Sequence, residues 1–149
     1  YGDGPLLPAM REQVVRAGLS DVIHLHGHVG DREYLLSELR ASDIFLFCHK
    51  TPESPRCLIE ALVSGAPLVG YHSAYADGLI ENHCGGMLTP VGDVSALVRE
   101  IVRLNAARPA LEAMVRQAAI SGRRFDEEAI YRGRAELMRT CLDPAAARA

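Results

Sequence analysis

DIFLFCHKTPESPRCLIEALVSG, residues 43–65, runs from an apolar segment through a polar loop into a helical pattern. After Asp43, the run Ile44-Phe45-Leu46-Phe47-Cys48 is aromatic and β-branched, and too short for a buried helix. A continuous apolar run of this length suits a strand covered on both faces, as in a parallel sheet. His49-Lys50-Thr51-Pro52-Glu53 is too polar to continue that strand, and Pro52 marks a loop. Ser54 then reads as an N-cap and Pro55 as the first helical residue, where a missing N–H costs nothing. Leu58, Ile59, Leu62 and Val63 follow helical spacing, and Gly65 with Pro67 stops the helix.

A strand that passes through a loop into a helix start is where open α/β sheets bind ligands. The first helical amides, around Ser54, Pro55, Arg56 and Cys57, lack internal partners and offer an anion site. Lys50 and Arg56 add positive charge on either side. Glu60 follows Glu53 by seven residues, close to two turns, so the two carboxylates share a face if helical geometry spans both. A carboxylate accepts two hydroxyl protons at once, which suits Glu60 to a sugar or ribose diol. The same residues also describe an ordinary capped helix with a solvated Glu and Arg.

The stretch resembles the donor-binding segment of retaining glycosyltransferases of the GT-B fold, the group-1, family-four type. In that family a strand ends in a loop carrying a first Glu. A helix then carries a second Glu followed by Ala, and Gly and Pro close it. Here these are Glu53, then Glu60-Ala61-Leu62, then Gly65-Ala66-Pro67. The resemblance runs in order from Gly2 to about Leu142. It implies a Rossmann-like α/β domain, a parallel sheet with helices on both faces. It also implies that Glu53 contacts the donor sugar as the catalytic carboxylate, and that Glu60 binds the nucleotide ribose. The spacing departs from the pattern: six residues separate the two Glu where the family has seven, which makes Glu60 the safer carry-over.

At 149 residues the chain is one domain by size, and 48% hydrophobic with 23% charged residues is a globular composition. A net charge of −3 gives no reason to expect a nucleic-acid partner. The four Cys are scattered without a CxxC, which suits a reducing cytoplasm. No apolar run approaches the roughly 20 residues of a membrane span.

Upstream, Gly2-Asp3-Gly4-Pro5 reads as a tight turn with Pro5 near a helix start, and Leu7, Met10, Val14 and Val15 give that helix an apolar face ended by Gly18. Asp21–Val29, DVIHLHGHV, reads as a strand; the resemblance implies that Val29 packs beside the nucleotide base, and the pattern alone equally describes a core residue at a strand end. His24, His26 and His28 alternate on one face, but no fourth metal ligand accompanies them, so no metal is expected. Residues 31–42 read as a helix and 67–71 as a buried strand. His72–Gly78 reads as a loop, with Ser73-Ala74 where the family has a Gly pair for the donor phosphate. A short helix at Leu79–His83, a turn and strand at Cys84–Pro90, and a helix capped by Asp93 follow. Two more helices follow Pro109 and Asp126, their apolar stripes read as core, and Pro144–Ala149 reads as a frayed tail.

The resemblance further implies what is absent. The family's donor domain has two earlier strands, the first carrying an Arg/Lys pair that grips the diphosphate. They sit in mid-sheet, between the strands expected at residues 21–29 and 43–48. The chain is therefore expected to be the N-terminally truncated C-terminal domain, residues 1–149, of a two-domain enzyme. The expected substrate is a nucleotide-diphosphate sugar, with no cofactor. A glycan, lipid or small-molecule acceptor is expected to bind the missing N-terminal domain. The expected location is the cytoplasm, with the inner membrane face serving a lipid acceptor. Exposed sheet edges offer a route to a homo-oligomer. A noncatalytic α/β binding domain and a nucleotide-sugar epimerase half are the rival readings.

Overall fold

The computed structural model describes residues 1–80 and 85–142. The chain divides after Leu35 into two units. In the first, α1 (Leu7–Arg16) carries Pro8 in its first turn, with Leu6 as N-cap in place of a helix start at Pro5. Gly18, at φ +67°, ends it, and the Leu19 N–H reaches back to the Val14 carbonyl at 3.1 Å. The expected apolar face is largely open: Met10 is 49% and Val15 66% exposed.

Residues 23–30 are not a strand, contrary to the alternating pattern. Alternation prepares a strand, but a ladder of partners makes one. Here the Gly2 N–H donates to the Gly27 carbonyl at 2.7 Å, and Gly27 itself turns to φ +74°. His24, His26 and His28 are exposed; the His26 ring stacks on Tyr1 at 4.7 Å. Among the described residues no group of His, Cys, Asp or Glu is arranged to hold a metal. The segment leads into α2 (Arg32–Ala41), where Asp31 Oδ1 accepts the Tyr34 N–H at 3.0 Å.

The second unit is built on a three-stranded parallel sheet in the order β1-β2-β3: β1 (Phe45–Phe47), β2 (Leu68–Tyr71) and β3 (Gly86–Thr89). The helices are α3 (Arg56–Val63), α4 (Ala74–Ile80), α5 (Val94–Ala106), α6 (Arg108–Arg123) and α7 (Glu127–Leu142). Every residue of β2 is buried, as a central parallel strand demands. Its side chains alternate. Leu68 packs with Phe47, Leu58, Leu62, Leu79 and Ala118, while Val69 and Tyr71 pack with Leu97, Leu104 and Met114. Helices thus cover both faces of the sheet. Leu58, Leu62, Leu68 and Leu104 are fully buried, each contributing about 1.5–3 kcal/mol of transfer free energy.

Small residues set the close approaches. A Cβ on Gly70 would lie 2.4 Å from the Phe47 carbonyl oxygen, so glycine lets β2 lie against β1. Asp93 caps α5, accepting the Ala96 N–H at 2.8 Å, as expected. The segment at residues 72–78 corrects the sequence reading. It is helical from Ala74, because Ser73 Oγ accepts the Ala76 N–H at 3.0 Å and starts a turn the loop-like composition hid. Glu81–Cys84, in the expected short helix and turn, and the expected frayed tail lie outside the described residues. The apolar stripe of α7 is another correction: Leu137, Met138 and Leu142 are 65%, 63% and 81% exposed, so it is not core within this chain.

Candidate functional site

Three parallel strands end at the same edge of the sheet, and the segments that leave them enclose a cleft of about 350 Å³. Residues 49–54 line it after β1, residues 72–75 after β2 and Val91 after β3. This is the carboxyl edge, where side chains and loop backbone are freed from ladder pairing.

The β1 segment is held by its own bonds. Thr51 Oγ1 donates to Glu53 Oε1 at 2.6 Å, and the Glu53 N–H to the Thr51 carbonyl at 2.8 Å. The His49 ring lies against Phe47, with centroids 5.8 Å apart, and its Nδ1 is buried without a hydrogen-bond partner. Across the cleft, His72 Nδ1 lies 2.7 Å from Asp77 Oδ1. Tyr75 is half-buried, and burial, then the neighbouring Cys57, pushes its phenol up.

Lys50, Glu53 and Ser54 line this cleft. Ser54 is not the cap. Pro55 occupies that position with an extended backbone (φ −70°, ψ 126°), and no side chain caps the helix. Because α3 starts at Arg56, Glu53 lies outside it, and the shared helical face expected for Glu53 and Glu60 does not form. Glu60 sits on the second turn, half-buried and outside the cleft lining; Arg56 and Cys57 occupy the first turn. Val29 belongs to the first unit, in irregular backbone. At the far end of α3 the expected stop is in place. Gly65 is at φ +82°, and the Ala66 N–H donates to the Ala61 carbonyl at 2.9 Å.

Cys57 reports on the start of α3. Burial, then the Glu60 carboxylate, pushes its thiol up, while the Cys57 and Leu58 amides pull it the other way. Those amides therefore face a group that gains negative charge. A raised thiol carries less thiolate at pH 8, so Cys57 is expected to alkylate more slowly than exposed Cys48 and Cys141. Glu60→Gln is expected to speed Cys57 alone. Peptide-resolved mass spectrometry after iodoacetamide treatment checks both; an unchanged Cys57 rate in that variant would contradict the Glu60 proximity.

His49, His72 and Asp77 went unread in the sequence. His49 and His72 are each within two residues of a strand's last residue, and that position was the available signal.

The family model for glycosyl transferases group 1 matches residues 1–106. The 2-deoxystreptamine N-acetyl-D-glucosaminyltransferase of Streptomyces fradiae is 33% identical over 98 residues, 66% of this chain and 23% of that protein. The amylovoran biosynthesis glycosyltransferase AmsK of Erwinia amylovora is 28% identical over 144 residues, 92% of this chain and 35% of that one. The crystal structure of Anabaena HepE in complex with UDP-glucose matches with a TM-score of 0.76 at 26% identity, over 93% of this chain and 39% of that one. The chain thus spans well under half the length of each of these proteins. With a Rossmann-like parallel sheet and a family match over most of its length, the chain belongs to the group 1 glycosyl transferases.

Proposed function

We propose that this chain is the donor-binding half of a retaining glycosyltransferase, taking a nucleotide-diphosphate sugar at the carboxyl edge of its sheet. The observation that carries the reading is the cleft itself. It brings a cation (Lys50) and a carboxylate (Glu53) together at one edge, just before α3 begins, in a member of a glycosyltransferase family. HepE, similar in fold, has been crystallised with UDP and with UDP-glucose.

In this reading the diphosphate settles on the start of α3, where the first-turn amides and the Lys50 and Arg56 charges face it. Glu60 accepts two hydroxyl protons from the ribose, and Glu53 holds the transferred sugar. Transfer forms a bond from the acceptor oxygen to the anomeric carbon and breaks the bond to diphosphate, whose oxygen takes the electron pair. The acceptor proton leaves with the diphosphate. The amides and cations stabilise charge that grows on the leaving group, which is the differential binding that accelerates transfer. No cofactor is assigned. Activity requires an acceptor-binding domain beyond residues 1–149, and the acceptor is a glycan, lipid or small molecule. The location proposed is the cytoplasm, at the inner membrane face where the acceptor is a lipid.

Titration calorimetry with UDP, GDP and ADP tests the reading. Binding of one of them is expected, and binding of none at millimolar concentration would favour a noncatalytic α/β domain.

The β1 edge is part of the same proposal. β1 pairs only with β2 among the described strands, and Leu46 is 49% exposed. An open edge invites pairing. Two further strands, or failing them a second copy, cover it in this reading. Light scattering after size exclusion is expected to show association of the isolated chain, whereas a stable monomer with a cooperative melt would contradict the open edge.

A further inference from the structure

Two imidazoles line the cleft, and their surroundings set them in opposite proton arrangements. His72 Nδ1 faces the Asp77 carboxylate at 2.7 Å. An ionised carboxylate only accepts, so Nδ1 carries the proton. Nε2 is then the nitrogen left for a ligand, a lone pair while the ring is neutral. His49 is the reverse. Its Nδ1 is buried and unpartnered. A buried unmatched N–H is the costlier orphan, so the proton belongs on Nε2, which becomes a donor.

One cleft therefore presents a ring lone pair and a ring N–H, beside the Glu53 acceptor and the Lys50 donor. A phosphate oxygen satisfies only the donors. A hydroxyl both donates and accepts, so a ring bearing several hydroxyls can satisfy all four.

We propose that His72, oriented by Asp77, and His49 contact hydroxyls of the sugar carried by the nucleotide donor and so help determine which sugar the site takes. The inference rests on the donor-binding reading above. His72 and His49 are contact residues; Asp77 is a positioning residue that acts through the His72 ring. Both partners of the His72–Asp77 pair are about half exposed, so removing either leaves the core of the unit intact.

The test is calorimetry on the full chain with UDP, GDP and their sugars UDP-glucose, UDP-galactose, UDP-N-acetylglucosamine and GDP-mannose. The variants are His72→Ala, His49→Ala and Asp77→Asn, with melting curves as the folding control. The wild type is expected to bind one sugar nucleotide more tightly than its parent diphosphate. His72→Ala is expected to weaken that sugar nucleotide about tenfold while leaving the diphosphate within about twofold. Asp77→Asn, which frees the ring to take either tautomer, is expected to lose a smaller part of the same preference. Equal weakening of diphosphate and sugar nucleotide, or no weakening of either, overturns the sugar contact and leaves the donor-binding reading standing. So does a wild type that prefers no sugar nucleotide over its diphosphate. A wild type that binds no nucleotide at all overturns both.

Discussion

Glu60→Ala is expected to weaken binding of the preferred nucleoside diphosphate by one to two orders of magnitude. In the proposed site this carboxylate accepts both ribose hydroxyls, and its loss leaves two polar groups unmatched against a half-buried helix face. Leaving the pair unmatched costs about 1–3 kcal/mol in all, and each 1.4 kcal/mol is a factor of ten in affinity. Glu60→Gln is expected to fall between, since an amide oxygen still accepts but carries no charge. Neither variant is expected to unfold the chain, because Leu58, Ala61 and Leu62 anchor α3 from its other side. Calorimetry beside a melting curve reads both effects, and an Ala variant with wild-type affinity would remove Glu60 from the site.

The second large effect is on the fold. Gly122→Val is expected to lower the melting temperature by roughly 10 °C or more, the consequence of about 3 kcal/mol lost to overpacking. A Cβ there would lie 2.2 Å from the Leu62 carbonyl oxygen and 2.9 Å from the Val63 Cα. Both are α3 backbone, so no rotamer change relieves the clash and the two helices must part. Separation would also shift the helix that carries Glu60, so donor affinity is expected to fall with stability. Gly133→Ala on α7 is the control: a Cβ there meets nothing within 4 Å. Alanine is expected to stabilise that helix slightly, by up to about 1 kcal/mol. Equal melting temperatures for Gly122→Val and wild type would contradict the α3–α6 approach.

The parts of the fold legible in the sequence are those decided by neighbours in the chain. Phe45–Phe47 and Leu68–Tyr71 are apolar runs too short for helices, and Gly65 and Asp93 are local stop and start signals that act within one turn. What stayed illegible depends on partners. DVIHLHGHV has the alternation of a strand, yet its Gly27 carbonyl accepts the Gly2 N–H and no ladder follows among the described residues. The stripe on α7 predicts an apolar face correctly, but periodicity does not say what covers it. α4 was hidden because seven residues hold barely two turns, and its start depends on one serine hydroxyl.

The candidate site divides the same way. Lys50, Glu53 and Ser54 follow from a strand ending beside a helix start, and all three line the cleft. Extending one helical count from Glu53 to Glu60 failed because Pro55, extended at ψ 126°, separates Glu53 from α3. His72 and Asp77 meet only because α4 begins between them, so a loop reading of residues 72–78 could not pair them.

A crystal of the chain soaked with its preferred nucleotide sugar is expected to show diphosphate density over the Arg56 and Cys57 amides, with the ribose on the Glu60 carboxylate and the sugar between Glu53 and His72. Density elsewhere on the chain, or a Glu60 carboxylate turned away from the bound ribose, would contradict it.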